Sequence, residues 1–172
     1  MSLERLWAGW RSEYIEGATA AGTGAEDCVM CRLADPGQSM EEGHVLWRGS
    51  LVAAALNAYP YTSGHLMVMP RRHVSDLEAL EPEESAQLWS VVTTAVVAVK
   101  AAYRPEGLNL GINLGRAAGA GIPGHLHVHV LPRWAGDSNF MTSVAEARVM
   151  PETLSRSANR LRAVWPGPAP PG

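Results

Sequence analysis

The sequence predicts an α+β domain built on an antiparallel sheet of about five strands, with one long helix and one C-terminal helix. Three observations point there. Short apolar runs of strand length cluster together, bounded by turn-forming residues. A single long segment carries its apolar residues at helical spacing. The chain has 172 residues, 47% of them hydrophobic, which is enough for one sizeable core and so for one domain with small additions. Strands grouped around one long helix, rather than alternating strictly with helices, favour the antiparallel arrangement.

The elements follow in chain order. Leu3, Leu6, Trp7, Trp10 and Tyr14 line one helical face or form an arm that packs on a neighbour, and Glu16 to Glu26 is a small, polar, flexible connection. Residues 1–27 are therefore read as an N-terminal arm and flexible segment. His44 to Arg48 and Leu51 to Leu56 read as strands paired across a turn at Gly49-Ser50, and His65 to Met69 as a third strand closed by Pro70. Ser75 and Glu78 fit a capping box on a short helical turn. Pro82, followed by Glu83 and Glu84, opens the long helix, with Leu88, Trp89, Val92, Val96 and Val99 on its stripe and Pro105 beyond its end. Leu108 to Leu114 and Leu126 to Leu131 are two further strands. A last helix starts near Pro151, carrying Leu154, Ala158, Leu161 and Trp165. The domain proper spans 28–165, and 166–172 is a proline-rich tail.

Charge excludes one class of function. With 14 basic against 17 acidic residues, the net charge of -3 argues against holding nucleic acid by bulk basicity. A pocket for a single nucleotide needs only a few local donors and stays open. No apolar run approaches the ~20 residues of a membrane-spanning helix, and Met1 to Arg11 lacks a signal-peptide core, so the expected home is cytoplasmic and no membrane partner is expected.

Six histidines and two cysteines carry the chemistry. In Gly124-His125-Leu126-His127-Val128-His129-Val130-Leu131, strand alternation puts His125, His127 and His129 on one face and Leu126, Val128 and Val130 on the other. Three imidazoles on one face serve a metal site or a nucleophile with supporting groups. The preceding loop, Gly115 to Gly124, is rich in small residues that let backbone N–H groups approach phosphate, with Arg116 adding charge. Cys28-Val29-Met30-Cys31 follows a flexible segment, not a strand, which favours metal binding over a thioredoxin-like redox role, with two ligands still to be found.

Residues 125–131 match the His-φ-His-φ-His-φ-φ signature (φ apolar) of the histidine triad (HIT) superfamily, and the chain resembles that family over roughly Cys28 to Phe140. The resemblance takes in Asn57, Tyr59-Pro60, Gly64 to Pro70, Arg72-His73-Val74, Asn109 and Asn113. It implies a HIT-like fold and nucleotidyl transfer or hydrolysis at an α-phosphate, with His127 attacking phosphorus to form a covalent nucleotidyl-histidine, His129 donating to phosphate oxygens and His65 supporting the triad. It further implies Asn57 as a ribose contact, and Asn113, Gly119, Gly121, Arg133 and Trp134 as nucleotide or phosphate contacts. Arg71 and Arg72 are further candidates to hold a polyphosphate. Zinc-bearing relatives combine the cysteine pair with two histidines that correspond to His73 and His125, which implies a closed, structural Zn2+ site on Cys28, Cys31, His73 and His125. A divalent cation such as Mg2+ would accompany the substrate, and family members are usually two-fold homodimers.

Within the family, Leu6-Trp7-Ala8, Trp10-Arg11, Asn57 to Tyr61, Asn113-Leu114-Gly115 and Pro132 to Asp137 with Asn139-Phe140 resemble the bacterial branch that includes diadenosine tetraphosphate (Ap4A) phosphorylases. Many family hydrolases carry glutamine or serine four residues before the first triad histidine; Gly121 stands there instead. A purine nucleoside phosphoramidase and a catalytically weak nucleotide-binding module are the alternatives. His44 is left without a role.

Overall fold

The computed structural model describes residues 24–137 and 152–167. Residues 1–23 of the predicted N-terminal arm and flexible segment, Asn139-Phe140, the expected helix start at Pro151 and the proline-rich tail beyond Gly167 lie outside them. Strands β1 (Val45–Arg48), β2 (Val52–Leu56), β3 (Leu66–Pro70), β4 (Gly107–Ile112) and β5 (Val128–Arg133) form one antiparallel sheet in the order β1-β2-β3-β5-β4. The helices are α1 (Val29–Ala34), α2 (Pro82–Tyr103) and α3 (Leu154–Val164). The α+β architecture expected from the sequence is the one observed, with the short helix α1 added to it.

Both faces of the sheet are covered, which explains why β2 and β3 are buried at every position. On one face Ala54, Leu56, Leu66, Val68, Val128 and Val130 meet Leu88, Val92 and Val99 of α2 and Leu161 of α3. On the other, Val45, Ala53, Ala55, Met67 and Met69 meet Met30 and Ala34 of α1. The alanines of β2 are poor strand formers by propensity; close packing between two layers decides the matter. At ~25 cal/mol per Å² of apolar surface, these two layers are the main stabilising term.

Several local expectations are revised. The capping box falls one helix later than Ser75 and Glu78: the turn at Leu77–Ala79 has no side-chain cap, and the Ser75 hydroxyl donates to Asp76 instead. Glu81 and Glu84 make the box, with Pro82 in the first turn of α2 as expected. Trp89 is 45% exposed rather than core, because the stripe facing the sheet runs through Leu88, Val91, Val92, Ala95 and Val99. Helix α2 is also long and apolar enough to cross a membrane by length and composition alone, although it carries Glu83, Glu84 and Lys100. Its apolar face is occupied by the sheet and α3, the position of a core helix. It ends at Arg104, which takes the left-handed conformation at φ 47° just before Pro105.

The long strand from Leu126 begins hydrogen bonding to β3 and β4 only at Val128. Residues 125–127 approach it in an extended run, tied by the Leu126 N–H to Val74 O at 2.7 Å. Alternation nevertheless holds. Leu126, Val128 and Val130 enter the core under α2, and His125, His127 and His129 occupy the α1 face.

Candidate active site and metal centre

The structure gathers the residues that the sequence singles out into two adjoining groups along this face. The first is Cys28, Cys31, His73 and His125, whose ligand atoms all lie within 4.8 Å of one another. Cys28 caps the start of α1 and Cys31 lies in its first turn, while His73 follows β3. The Cys28 Sγ and Cys31 Sγ stand 3.4 and 3.5 Å from His125 Nδ1, and Cys31 Sγ stands 3.3 Å from His73 Nδ1. A tetrahedral zinc ion with Zn–S of ~2.3 Å and Zn–N of ~2.0 Å sets its ligand atoms roughly 3.3–3.8 Å apart, so these residues fit the ion. His125 is also oriented for it. Its Nε2–H donates to Pro70 O at 2.8 Å, which leaves the Nδ1 lone pair facing the sulfurs. Burial pushes the His125 pKa down to about 4, so the ring is neutral, as a ligand must be. Burial beside Cys28 raises the metal-free Cys31 thiol to about 11.

The second group holds His127, His129 and His65. His127 is 5% exposed, and its Nδ1–H donates to His125 O at 2.8 Å. The tautomer is thereby fixed, and Nε2 is the nitrogen with the free lone pair. Burial holds this imidazole below its usual pKa, so it is uncharged at neutral pH. The ring centroids of His127 and His129 are 4.9 Å apart, nearly perpendicular. His65, fully buried on the loop entering β3, places Nε2 3.0 Å from His129 Nδ1. Asn57, ending β2, lies beside the same ring: its Nδ2 is 3.5 Å from His65 Nδ1, and its Oδ1 accepts the Tyr59 N–H.

The glycine-rich loop closes on itself. Gly115 and Gly119 adopt positive φ values of 77° and 90°, which flank a tight turn at Arg116–Ala118. Asn113 Nδ2 donates to Gly119 O at 3.4 Å, and Ile122 packs on the α1 side of the sheet. The loop therefore delivers the chain from the edge strand β4 back to His125, with Gly121 offering no side chain at the turn. Arg133 shares the histidine face by alternation, and its guanidinium is held by the Asp137 carboxylate and by Asn109 Oδ1 at 2.8 Å. Trp134 packs edge-on against Tyr103 at the end of α2.

Two arginines considered for polyphosphate bond protein oxygens. Arg72 makes a bidentate pair with Glu84 at 2.9 and 2.6 Å, and Arg71 bonds Ser50 O at 3.1 Å. Sequence reasoning placed Glu84 at the start of α2 but missed that this buried carboxylate also holds Arg72. It also missed Tyr103, whose ring lies against Gly64 and whose hydroxyl donates to Glu152, and the Tyr61 N–H, which meets His65 Nδ1 at 3.1 Å. A backbone donor leaves no signal in residue identity.

A sheet of this order, with a cluster of possible metal ligands and a row of imidazoles along the run into β5, defines the class: the chain belongs to the HIT family, whose domain model matches residues 38–136. Among individual proteins, it is 42% identical over 170 residues to the AP-4-A phosphorylase of Mycobacterium tuberculosis, covering 95% of this chain and 85% of the relative. It is 36% identical over 93 residues to the asymmetrical bis(5'-nucleosyl)-tetraphosphatase of Schizosaccharomyces pombe, covering 54% and 50% of the two chains. A Zn-bound histidine triad family protein from Mycobacterium smegmatis superposes with a TM-score of 0.66 at 28% identity, over 83% of this chain and 95% of that one.

Proposed function

We propose that this chain cleaves Ap4A by phosphorolysis or hydrolysis, through a covalent nucleotidyl group on His127. The observation that carries the reading is the hydrogen bond from His127 Nδ1 to His125 O, which leaves a neutral, buried Nε2 as the nucleophile. Its likeness to the mycobacterial AP-4-A phosphorylase supports this substrate. In the first step Nε2 attacks the α-phosphorus, the P–O bond to the polyphosphate breaks, and ATP leaves. In the second step an acceptor attacks the same phosphorus and frees Nε2. Inorganic phosphate as acceptor gives ADP, and water gives AMP. His129 donates to the phosphate oxygens in both steps, where charge develops. Asn57 takes the ribose, and Asn113, Gly119, Gly121, Arg133 and Trp134 contribute to nucleotide and phosphate binding.

Zinc on Cys28, Cys31, His73 and His125 would fill all four positions with protein ligands and act structurally, tying α1 to the sheet beside the nucleophile. Mg2+ would travel with the polyphosphate. The functional domain is taken as 28–165, since the cysteines and α3 join contacts that extend beyond the matched segment. A two-fold homodimer is favoured by the open edge of β4 and by exposed Leu110, Leu114 and Val97. The two thiols outside any disulfide fit a cytoplasmic setting.

Product analysis on Ap4A tests the reading. ADP and ATP appearing only with added phosphate establish phosphorolysis, whereas AMP and ATP in phosphate-free buffer establish hydrolysis. No cleavage under either condition overturns the proposal.

A further inference from the structure

The connection between β2 and β3 is held more tightly than its exposed position requires. Asn57 donates its N–H to His65 O at 3.0 Å, His65 donates to Thr62 O at 3.2 Å, and the Thr62 hydroxyl anchors to Pro132 O on β5 at 2.9 Å. Gly64 adopts φ +81° and lies against the Tyr103 ring so closely that a Cβ would come within 2.5 Å of it. Pro60 fixes the backbone just before Tyr61. These restraints aim the Tyr61 N–H at His65 Nδ1 from 3.1 Å, nearer than Asn57 Nδ2 at 3.5 Å.

A backbone amide can only donate, so His65 Nδ1 must accept and His65 carries its proton on Nε2. That proton points at His129 Nδ1, 3.0 Å away, which must accept in turn. His129 then carries its own proton on Nε2. The Tyr61 ring also lies 4.9 Å from the His65 ring and 6.5 Å from the His129 ring, nearly parallel to the latter.

We infer that Tyr61 is a positioning residue for the reaction: its backbone N–H sets, through His65, which nitrogen of His129 presents a proton to the substrate phosphate. The step moves no proton by itself; it selects the tautomer before substrate binds. This rests on the reading of the site given above, and its test separates the two.

The test compares Tyr61→Leu, which keeps the N–H and loses the ring, with Tyr61→Pro, which loses both. A third protein replaces Tyr61 by its α-hydroxy-acid analogue, exchanging the N–H for an ester oxygen and keeping the ring. Nitrogen-15 spectra of labelled histidines, taken without substrate, read the His65 and His129 tautomers; Ap4A cleavage reads kcat and KM. In the Leu variant the Nε2–H tautomer should persist. In the Pro and ester proteins it should give way to a mixture, and kcat should fall on the order of tenfold while KM stays within about twofold. Unchanged tautomers in the ester protein, or in the Pro variant if the ester protein does not fold, overturn the inference. Altered tautomers in a chain whose parent cleaves nothing would sustain Tyr61's role and refute the Ap4A reading instead.

Discussion

His125 and His127 are two residues apart on one face, both buried and both held neutral by that burial, yet their rings present opposite nitrogens, which suits them to the different tasks proposed above. A carbonyl decides each case. Pro70 O takes the Nε2–H of His125 and leaves Nδ1 toward the two sulfurs; His125 O takes the Nδ1–H of His127 and leaves Nε2 toward the reaction side. Residue type and burial are the same, so neither distinguishes the proposed ligand from the proposed nucleophile. The backbone acceptor does. The two proposed roles are also joined, because the carbonyl that orients the His127 ring belongs to His125.

The largest effect is expected of His127→Ala, which should lower kcat by at least ~10³-fold while leaving metal content and thermal stability close to the parent. Kinetics on Ap4A alongside metal analysis check both halves. Next comes the Cys28→Ser/Cys31→Ser pair, which should abolish bound zinc and cost several kcal/mol of stability, since metal binding and folding are linked. Its activity should fall less than that of His127→Ala, because the substituted side chains do not touch the reacting phosphorus. Zinc retained on the triad would instead mean that His125 and His127 do not differ in role.

Smaller effects probe the frame around the imidazoles. Gly64→Ala should cost about 1–3 kcal/mol, visible as a lowered denaturation midpoint, because the residue combines a positive φ with contact on the Tyr103 ring. The mildest is Glu84→Gln. The hydrogen bond from Arg72 holds the Glu84 pKa below its usual value, so its stabilisation is complete above that usual value and fades as pH falls through the lowered one. The variant should therefore be destabilised by about 1 kcal/mol at neutral pH, through a weakened cap, and should lose less stability than the parent on acidification. Denaturant titrations across that acid range measure the difference.

Much of this was legible in the sequence because its causes are local. Alternation along residues 125–131 sorted histidines from core residues, and the spacing of apolar positions placed α2 and its first-turn Pro82. The cysteine pair gave two ligands by spacing; the other two came from family resemblance, since His73 and His125 are 42 and 97 residues away from their sulfur partners. What sequence could not show were contacts made by the backbone or by folding distant segments together. The carbonyls of Pro70 and His125 carry no residue-type signal. Glu84 reads as one more acidic residue near a helix start until Arg72 folds onto it. Trp89 sat on an apparent apolar stripe, but the sheet meets the helix one residue away.

In the proposed mechanism His127 Nε2 carries the nucleotidyl group. Protein mixed with Ap4A in phosphate-free buffer, quenched within one turnover in alkali and digested, should yield a peptide containing His127 with the added mass of one adenylyl group, and ATP in equal amount. Steady formation of ADP and ATP in phosphate with no adduct at His127, and with His127→Ala still turning over, would contradict it.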